Sequence, residues 1–348
     1  KLYIFMKIKK KNTFNNQVMF VDGMPGCGKT LFPSIFGGYD RVELLTYSYQ
    51  VEQYCSLYYL NEISLDAASA LVNLSIDQIT YHSMMSREVN FRPSDLSSVF
   101  KNPNKIKYFK RIFNKGDHAI SQLIEDEKPI LNLTTHSLLV RSEPIFDALG
   151  DRATFVEIVR HPLYQIRQHY LNTRDLYIQD VRHLGLAYQV DESEEVVPSF
   201  VKEYENEWIN GNPMDKAILS MYYWDKQLDR FLSDNKQIKE QVIIVPFEKF
   251  VLSPDGYLDS IEARLGVDRT ALVAKSLKKQ NVPRKRIADG VDMPVYRRCG
   301  WQPSIDGSER DELLVRNEEV KKKATENIFY LLQEMSAKYE EKYMKGIL

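Results

Sequence analysis

Gly23-Met24-Pro25-Gly26-Cys27-Gly28-Lys29-Thr30 spells a complete G-x-x-x-x-G-K-[ST] phosphate-binding loop. The apolar run Val18-Met19-Phe20-Val21 stands directly before it, and a helix is expected to start at Lys29. Strand, glycine loop and helix start form the context that gives this motif its meaning. The glycines let successive N–H groups turn into one concavity, and the dipole of a following helix adds positive character there. The loop points to a phosphorylated nucleotide, and it is silent on which group that nucleotide donates.

Further strand-like runs follow at Val42–Thr46, Ile130–Thr134, Phe155–Val159 and Val242–Val245, with helical patterns between them. That alternation predicts an α/β fold, a P-loop-type parallel sheet covered by helices on both faces. The 348 residues are read as a single domain with its core at 17–301. Tyr49–Leu60, Asp66–Leu74 and Lys216–Ser233 read as helices, and 311–345 as one C-terminal amphipathic helix. Residues 87–115 carry Asn, Pro and Lys without clean periodicity and are expected to form a lid-like insertion over the site. The acidic stretch Asp191–Pro198 reads as a surface loop.

A formal net charge of -1 with 27% charged residues leaves no basic stripe of the kind nucleic-acid binders carry. Three scattered cysteines argue for a reducing compartment without structural disulfides or a zinc site. No apolar run approaches the ~18 residues of a membrane span. At the N-terminus a lysine cluster follows a short apolar patch, the reverse of a signal peptide, and reads as a tag remnant or frayed end. The expectation is a cytoplasmic protein with a small-molecule or glycan partner, without nucleic acid or membrane, and with its oligomeric state open.

Many magnesium-dependent P-loop enzymes hold the metal through a carboxylate closing a second strand. Here Ile130–Thr134 runs into Thr135-His136, and Phe155–Val159 into Arg160-His161-Pro162. A histidine and an arginine thus stand where open α/β sheets bind their ligands. For a kinase using ATP and Mg²⁺, the alternative reading that Lys29 favours, Asp22 or Glu248 would have to serve.

Four segments, in this order, resemble the sulfotransferases that use 3′-phosphoadenosine 5′-phosphosulfate (PAPS). They are Pro25–Thr30, Lys128-Pro-Ile-Leu-Asn-Leu-Thr-Thr-His136, Val159-Arg160-His161-Pro162 and Arg297-Arg298-Cys299-Gly300-Trp301. The run Val242–Phe250 through Ser253-Pro254 to Leu265-Gly266 is similar to the family's strand-then-helix cadence. The resemblance spans about 18–301 and is absent from 87–115. It implies a P-loop α/β fold, PAPS as co-substrate with PAP as product, no metal, and His136 as general base. It implies a donor site made of the loop (Gly23, Met24, Pro25, Gly26, Cys27, Gly28, Lys29, Thr30 and Leu31) with Arg160, Ser276, Arg297, Arg298, Cys299, Gly300 and Trp301. The family's loop lysine falls on Gly26 here, so Lys29 is inferred to carry the charge at the leaving phosphate. The family serine eight residues after the motif arginine is Gln168 here, whose amide still donates, with Arg167 beside it.

Each of these residues also has a plainer reading. His136 would serve equally as a core histidine satisfied by a carbonyl, and Trp301 as a packing residue. His161 and His169 are expected to be structural or rim residues, and Cys27 to offer only its backbone N–H. The acceptor is not named by any motif; residues 87–115 and 174–208 are expected to shape its pocket.

Overall fold

The computed structural model describes residues 7–116, 118–176, 185–190, 195–287 and 307–348. Five parallel strands form the central sheet in the order β2-β3-β1-β4-β7: β1 (Val18–Asp22), β2 (Thr46–Tyr47), β3 (Leu131–Thr134), β4 (Ala153–Val159) and β7 (Val242–Pro246). All five β1 residues and all seven of β4 are buried, which is why these strands read as unbroken apolar runs. Period-two alternation divides them between two cores. Val18 and Phe20 of β1 face the same layer as Leu131, Leu133 and Phe155, with Phe20 and Phe155 stacked at 4.7 Å. Met19 and Val21 face the other, with Val156, Ile158, Phe32, Phe250 and Ile261.

The first layer of helices holds α2 (Tyr49–Tyr59), α3 (Leu65–Met84), α6 (Glu143–Leu149), α7 (Pro162–Leu171) and α9 (Pro213–Asp234). Between β1 and β2 lies the short α1 (Pro33–Phe36); α4 (Ile106–Arg111) and α5 (His118–Glu127) precede β3, and α8 (Glu205–Asn210) precedes α9. After β7 come α10 (Phe247–Leu252), α11 (Asp255–Leu265) and α12 (Ala271–Lys279), then α13 (Glu309–Lys321) and α14 (Glu326–Tyr339). The α/β expectation holds.

Four local expectations do not. The helix expected from Lys29 is a single 3₁₀ turn, Lys29–Leu31, followed by the four-residue α1. Pro33 lacks an N–H and starts α1 afresh, and Gly37-Gly38 ends it. So short an element has little macrodipole, and positive character at the loop must come from its amides and Lys29. The expected strand Val42–Thr46 shrinks to a single bridge, Val42 to Ile130, ahead of β2. Side chains take over where a ladder would have run: Glu43 is buried on Arg111 Nη1 (2.6 Å) and Lys107 (3.2 Å), and Leu44 N–H donates to the Tyr108 hydroxyl. The C-terminal helix is broken into α13 and α14, because the buried Asp215 accepts from Thr325 N–H (2.8 Å) and pins the start of α14 there. Part of the supposed acidic loop is a strand, β6 (Val196–Pro198), paired antiparallel with β5 (Ala187–Gln189).

Candidate functional site

In a parallel sheet every strand delivers its carboxyl end to the same edge. At that edge β1 opens into the glycine loop, β3 into Thr135-His136, β4 into Arg160-His161, and β2 ends at Tyr47. The backbone of the loop is dictated by its surroundings. Gly23 has φ 135°, and a Cβ there would lie 2.4 Å from the Ile158 carbonyl oxygen. Gly28 has φ 98°, and a Cβ would sit 2.4 Å from the Phe247 ring. Only glycine satisfies both the left-handed backbone and the missing space. Helix α7 supports the loop from below: Gln165 Nε2 donates to Pro25 O (3.0 Å), and Gln168 packs against Gly26. Arg160 Nη1 donates to Gly26 O (3.0 Å).

The loop spends some amides on itself, Cys27 N–H on Met24 O (3.2 Å) and Leu31 N–H on Gly28 O (3.0 Å). Cys27 therefore does not offer the free N–H expected of it, and burial pushes its thiol up to about 11. Among the described residues the amides of Gly26, Gly28 and Thr30 have no acceptor. The ammonium of Lys29 lies back on the loop, donating to the carbonyl of Gly23 and, at 3.4 Å, to that of Met24. A cation resting on its own carbonyls beside unpaired amides is the donor set an anionic phosphate requires.

His136 is fastened to this loop through its neighbours. Thr135 N–H donates to Val21 O and Ser137 N–H to Gly23 O, both at 3.2 Å. The fully buried Asp22 accepts from Thr135 Oγ1 (3.0 Å), Leu138 N–H (2.6 Å) and Leu139 N–H (2.7 Å). One carboxylate at the end of β1 thus organises the whole turn that carries the histidine. The imidazole lies parallel to the rings of Tyr47 (6.2 Å) and Tyr49 (6.3 Å), and its Nδ1 is 3.1 Å from Oε1 of Glu52 on α2. A carboxylate at Nδ1 selects the tautomer protonated there and leaves the Nε2 lone pair as a base. Burial, with the charges of Tyr49 and Asp95 adding, pushes Tyr47 up to about 12, so its phenol stays neutral.

Glu52 was not singled out from the sequence. Its one signal is spacing: Tyr49 and Glu52 stand three residues apart on a helix and share a face. In the sequence Asp22 and Glu248 offer themselves only as metal ligands for a kinase. Both turn inward: Glu248 is fully buried, accepting from His161 N–H (3.1 Å) and from the Tyr339 hydroxyl (2.6 Å). Glu157 is in register with Asp22, and burial foremost, with the Asp22 charge adding, raises its carboxyl well above the ordinary range.

Arg160 lies over Phe247 (4.6 Å to the ring centroid), and its Nε stands 3.9 Å from Glu248 without a hydrogen bond. Arg167 pairs with Glu319 of α13. Ser276 is buried on α12, a helix tied to the segment after the loop by Gln280 Nε2 donating to Ser34 Oγ (3.1 Å). His161 caps α7, accepting from Leu163 N–H at 3.2 Å. Arg297, Arg298, Cys299, Gly300 and Trp301 lie outside the described residues.

His169 is buried against the loop, and burial foremost, with the Lys29 charge adding, pushes it down to about 4. Its folded pKa lies below the unfolded value of about 6.5, so the native state binds fewer protons. The stability it contributes is complete above about pH 6.5 and is lost as pH falls toward 4, a change of about 3 kcal/mol. Urea midpoints measured across that range should fall less steeply for His169→Gln than for the parent chain; equal slopes would contradict this burial.

No protein-family model matches this chain, and no curated protein matches it. Solved structures resemble it distantly. The sulfotransferase domain of the Synechococcus PCC 7002 olefin synthase is 14% identical, with TM-score 0.38, covering 90% of this chain and 97% of that one. Sulfotransferase STF9 from Mycobacterium avium is 12% identical, with TM-score 0.40, covering 95% of this chain and 77% of its own. The sulfotransferase domain from the curacin biosynthetic pathway is 12% identical, with TM-score 0.40, covering 88% and 98%.

Proposed function

We propose that this chain is a PAPS-dependent sulfotransferase acting on a hydroxyl or amine of a polar small-molecule or glycan acceptor. The observation that carries the reading is the Glu52–His136 pair fastened, through Thr135 and Ser137, to the rim of the phosphate loop. A base with a fixed tautomer next to an anion cradle suits transfer to a weakly acidic nucleophile.

The residues of the chain divide the work. The amides of Gly26, Gly28 and Thr30 would receive the 5′-phosphate, and Lys29 would leave its carbonyls to neutralise the oxygen from which sulfur departs. His136 Nε2 would take the acceptor proton as the acceptor oxygen or nitrogen bonds to sulfur. The bridging S–O bond breaks, and its electron pair leaves on the phosphate oxygen of PAP. Glu52 would hold the imidazole in place and balance the imidazolium that forms. Arg160, with Arg297 or Arg298, would meet the 3′-phosphate, for which guanidinium geometry is suited. PAPS itself supplies an activated sulfuryl group, so the mechanism asks only positioning and charge stabilisation of the protein.

Thermal shift with PAP against ATP–Mg²⁺ tests the donor. At a hundredfold excess over Kd, PAP should stabilise the fold by about 2.7 kcal/mol. Stabilisation by ATP–Mg²⁺ alone would support the kinase alternative that Lys29, placed directly after Gly28, suggests.

A further inference from the structure

Helix α4, in the 87–115 insertion, is built inside out. Its inward residues are polar: Arg111 and Tyr108 are buried, and with Lys107 they grip Glu43. Its outward face carries Ile106 and Phe109, three residues apart, beside Lys110, and the turn that follows adds Phe113, with Ile106 64% and Phe113 87% exposed. Phe109 also touches Phe91 (5.8 Å) and Phe100 (6.1 Å), both exposed, and Ile112 extends the patch. The ion pairs beneath fix this orientation, because turning the helix over would carry Lys107, Tyr108 and Arg111 to solvent and leave the buried carboxylate of Glu43 without its partners. A contiguous apolar surface held outward is an interaction site rather than scatter.

Charge says what covers it. Residues 87–115 hold eight lysines and arginines against two carboxylates, in a chain whose balance is -1. Arg87, Arg92, Lys101, Lys105, Lys110 and Lys115 of this insertion are exposed, and Glu88 is its exposed carboxylate. Asp95 is turned toward Arg92 (3.5 Å), and nearby Glu127 is engaged by Arg111 (2.9 Å). Two copies meeting on this face would set cation against cation. Aromatic side chains on a lysine-rich insertion match a lipid surface carrying negative headgroups, which takes the rings at the acyl boundary and the ammonium groups at the headgroups.

We propose that the 91–113 surface docks this protein peripherally on anionic membranes. No helix among the described residues is long and apolar enough to cross a bilayer, so the contact is with one face of it. The proposal departs from the expectation of a protein without membrane contact, and it does not depend on the sulfotransferase reading.

The test is flotation of the full chain with vesicles of phosphatidylcholine alone and of phosphatidylcholine mixed with phosphatidylserine. Binding should require phosphatidylserine and weaken as salt rises. Replacing Lys101, Lys105 and Lys110 by glutamine should lower partitioning about 100-fold, at roughly fivefold per lysine. Phe109→Ser with Phe113→Ser should also release the protein, whereas Leu314→Ser, at an exposed leucine on α13, should not. Unchanged thermal unfolding of each variant verifies that the fold is intact. Equal binding to both vesicles, binding to neither, an equal loss with Leu314→Ser, or a dimer in solution that dissociates on Phe113→Ser would each overturn the proposal.

Discussion

Replacing His136 by alanine is expected to slow sulfuryl transfer by about 10²–10⁴-fold, the usual worth of a positioned general base. Stabilisation by PAP should be unchanged, because in the proposed mechanism the imidazole meets the acceptor rather than the nucleotide. The residue is half-exposed and its turn is held by Thr135, Leu138 and Leu139, so truncating the ring leaves the Asp22 anchor intact. Glu52→Gln should fall between the parent and the alanine variant: it keeps a polar contact at Nδ1 but loses the charge that balances imidazolium and can impose the wrong tautomer. Single-turnover transfer from PAPS reads both variants. A His136→Ala enzyme as fast as the parent would remove the base from the mechanism, and a Glu52→Gln enzyme as fast as the parent would reduce the pair to packing.

The largest loss of stability is expected from Asp22→Ala, about 3–5 kcal/mol in urea unfolding. Three donors lose their acceptor together in a fully buried place where water cannot replace it. Asp22→Asn, which retains one acceptor oxygen of the same shape, should cost less. Since the same carboxylate sets the 135–139 turn, Asp22→Ala should also displace His136 and depress transfer in whatever fraction stays folded. A cost below about 1 kcal/mol would mean that the turn finds other partners and that Asp22 is not its organiser.

A metal-binding role for Asp22 makes the opposite forecast. Removing a ligand from an exposed metal site leaves the apo fold nearly unaffected, so unfolding measurements in chelator separate the two roles. Glu248 can be approached in the same way, through its bonds to His161 N–H and the Tyr339 hydroxyl.

Part of the candidate site is legible in the sequence. The glycine loop announced itself because its three requirements (left-handed backbone, close approach and a lysine) each restrict residue type. His136 and Arg160 could be placed because both follow buried apolar runs, and parallel strands must present their ends together. What stayed hidden were partners from elsewhere in the chain. Glu52 sits 84 positions before His136, inside a helix that reads as packing. Asp22 looked like a metal ligand because a carboxylate at a strand end has the same local signature whether it binds a cation or three protein donors.

By itself, then, the chain's pattern of apolar runs and glycines determined the parallel sheet, the glycine loop and the edge at which the strand ends gather, since these follow from strand period and backbone sterics. Only the tertiary structure decided that the helix after the glycine loop is broken, that a carboxylate orients the histidine, that the β1 aspartate faces inward, and that Phe109 of α4 and Phe113 after it are turned to solvent. Each of those depends on which side chain, distant in sequence, arrives to satisfy a buried polar group, and local propensity carries no record of that meeting.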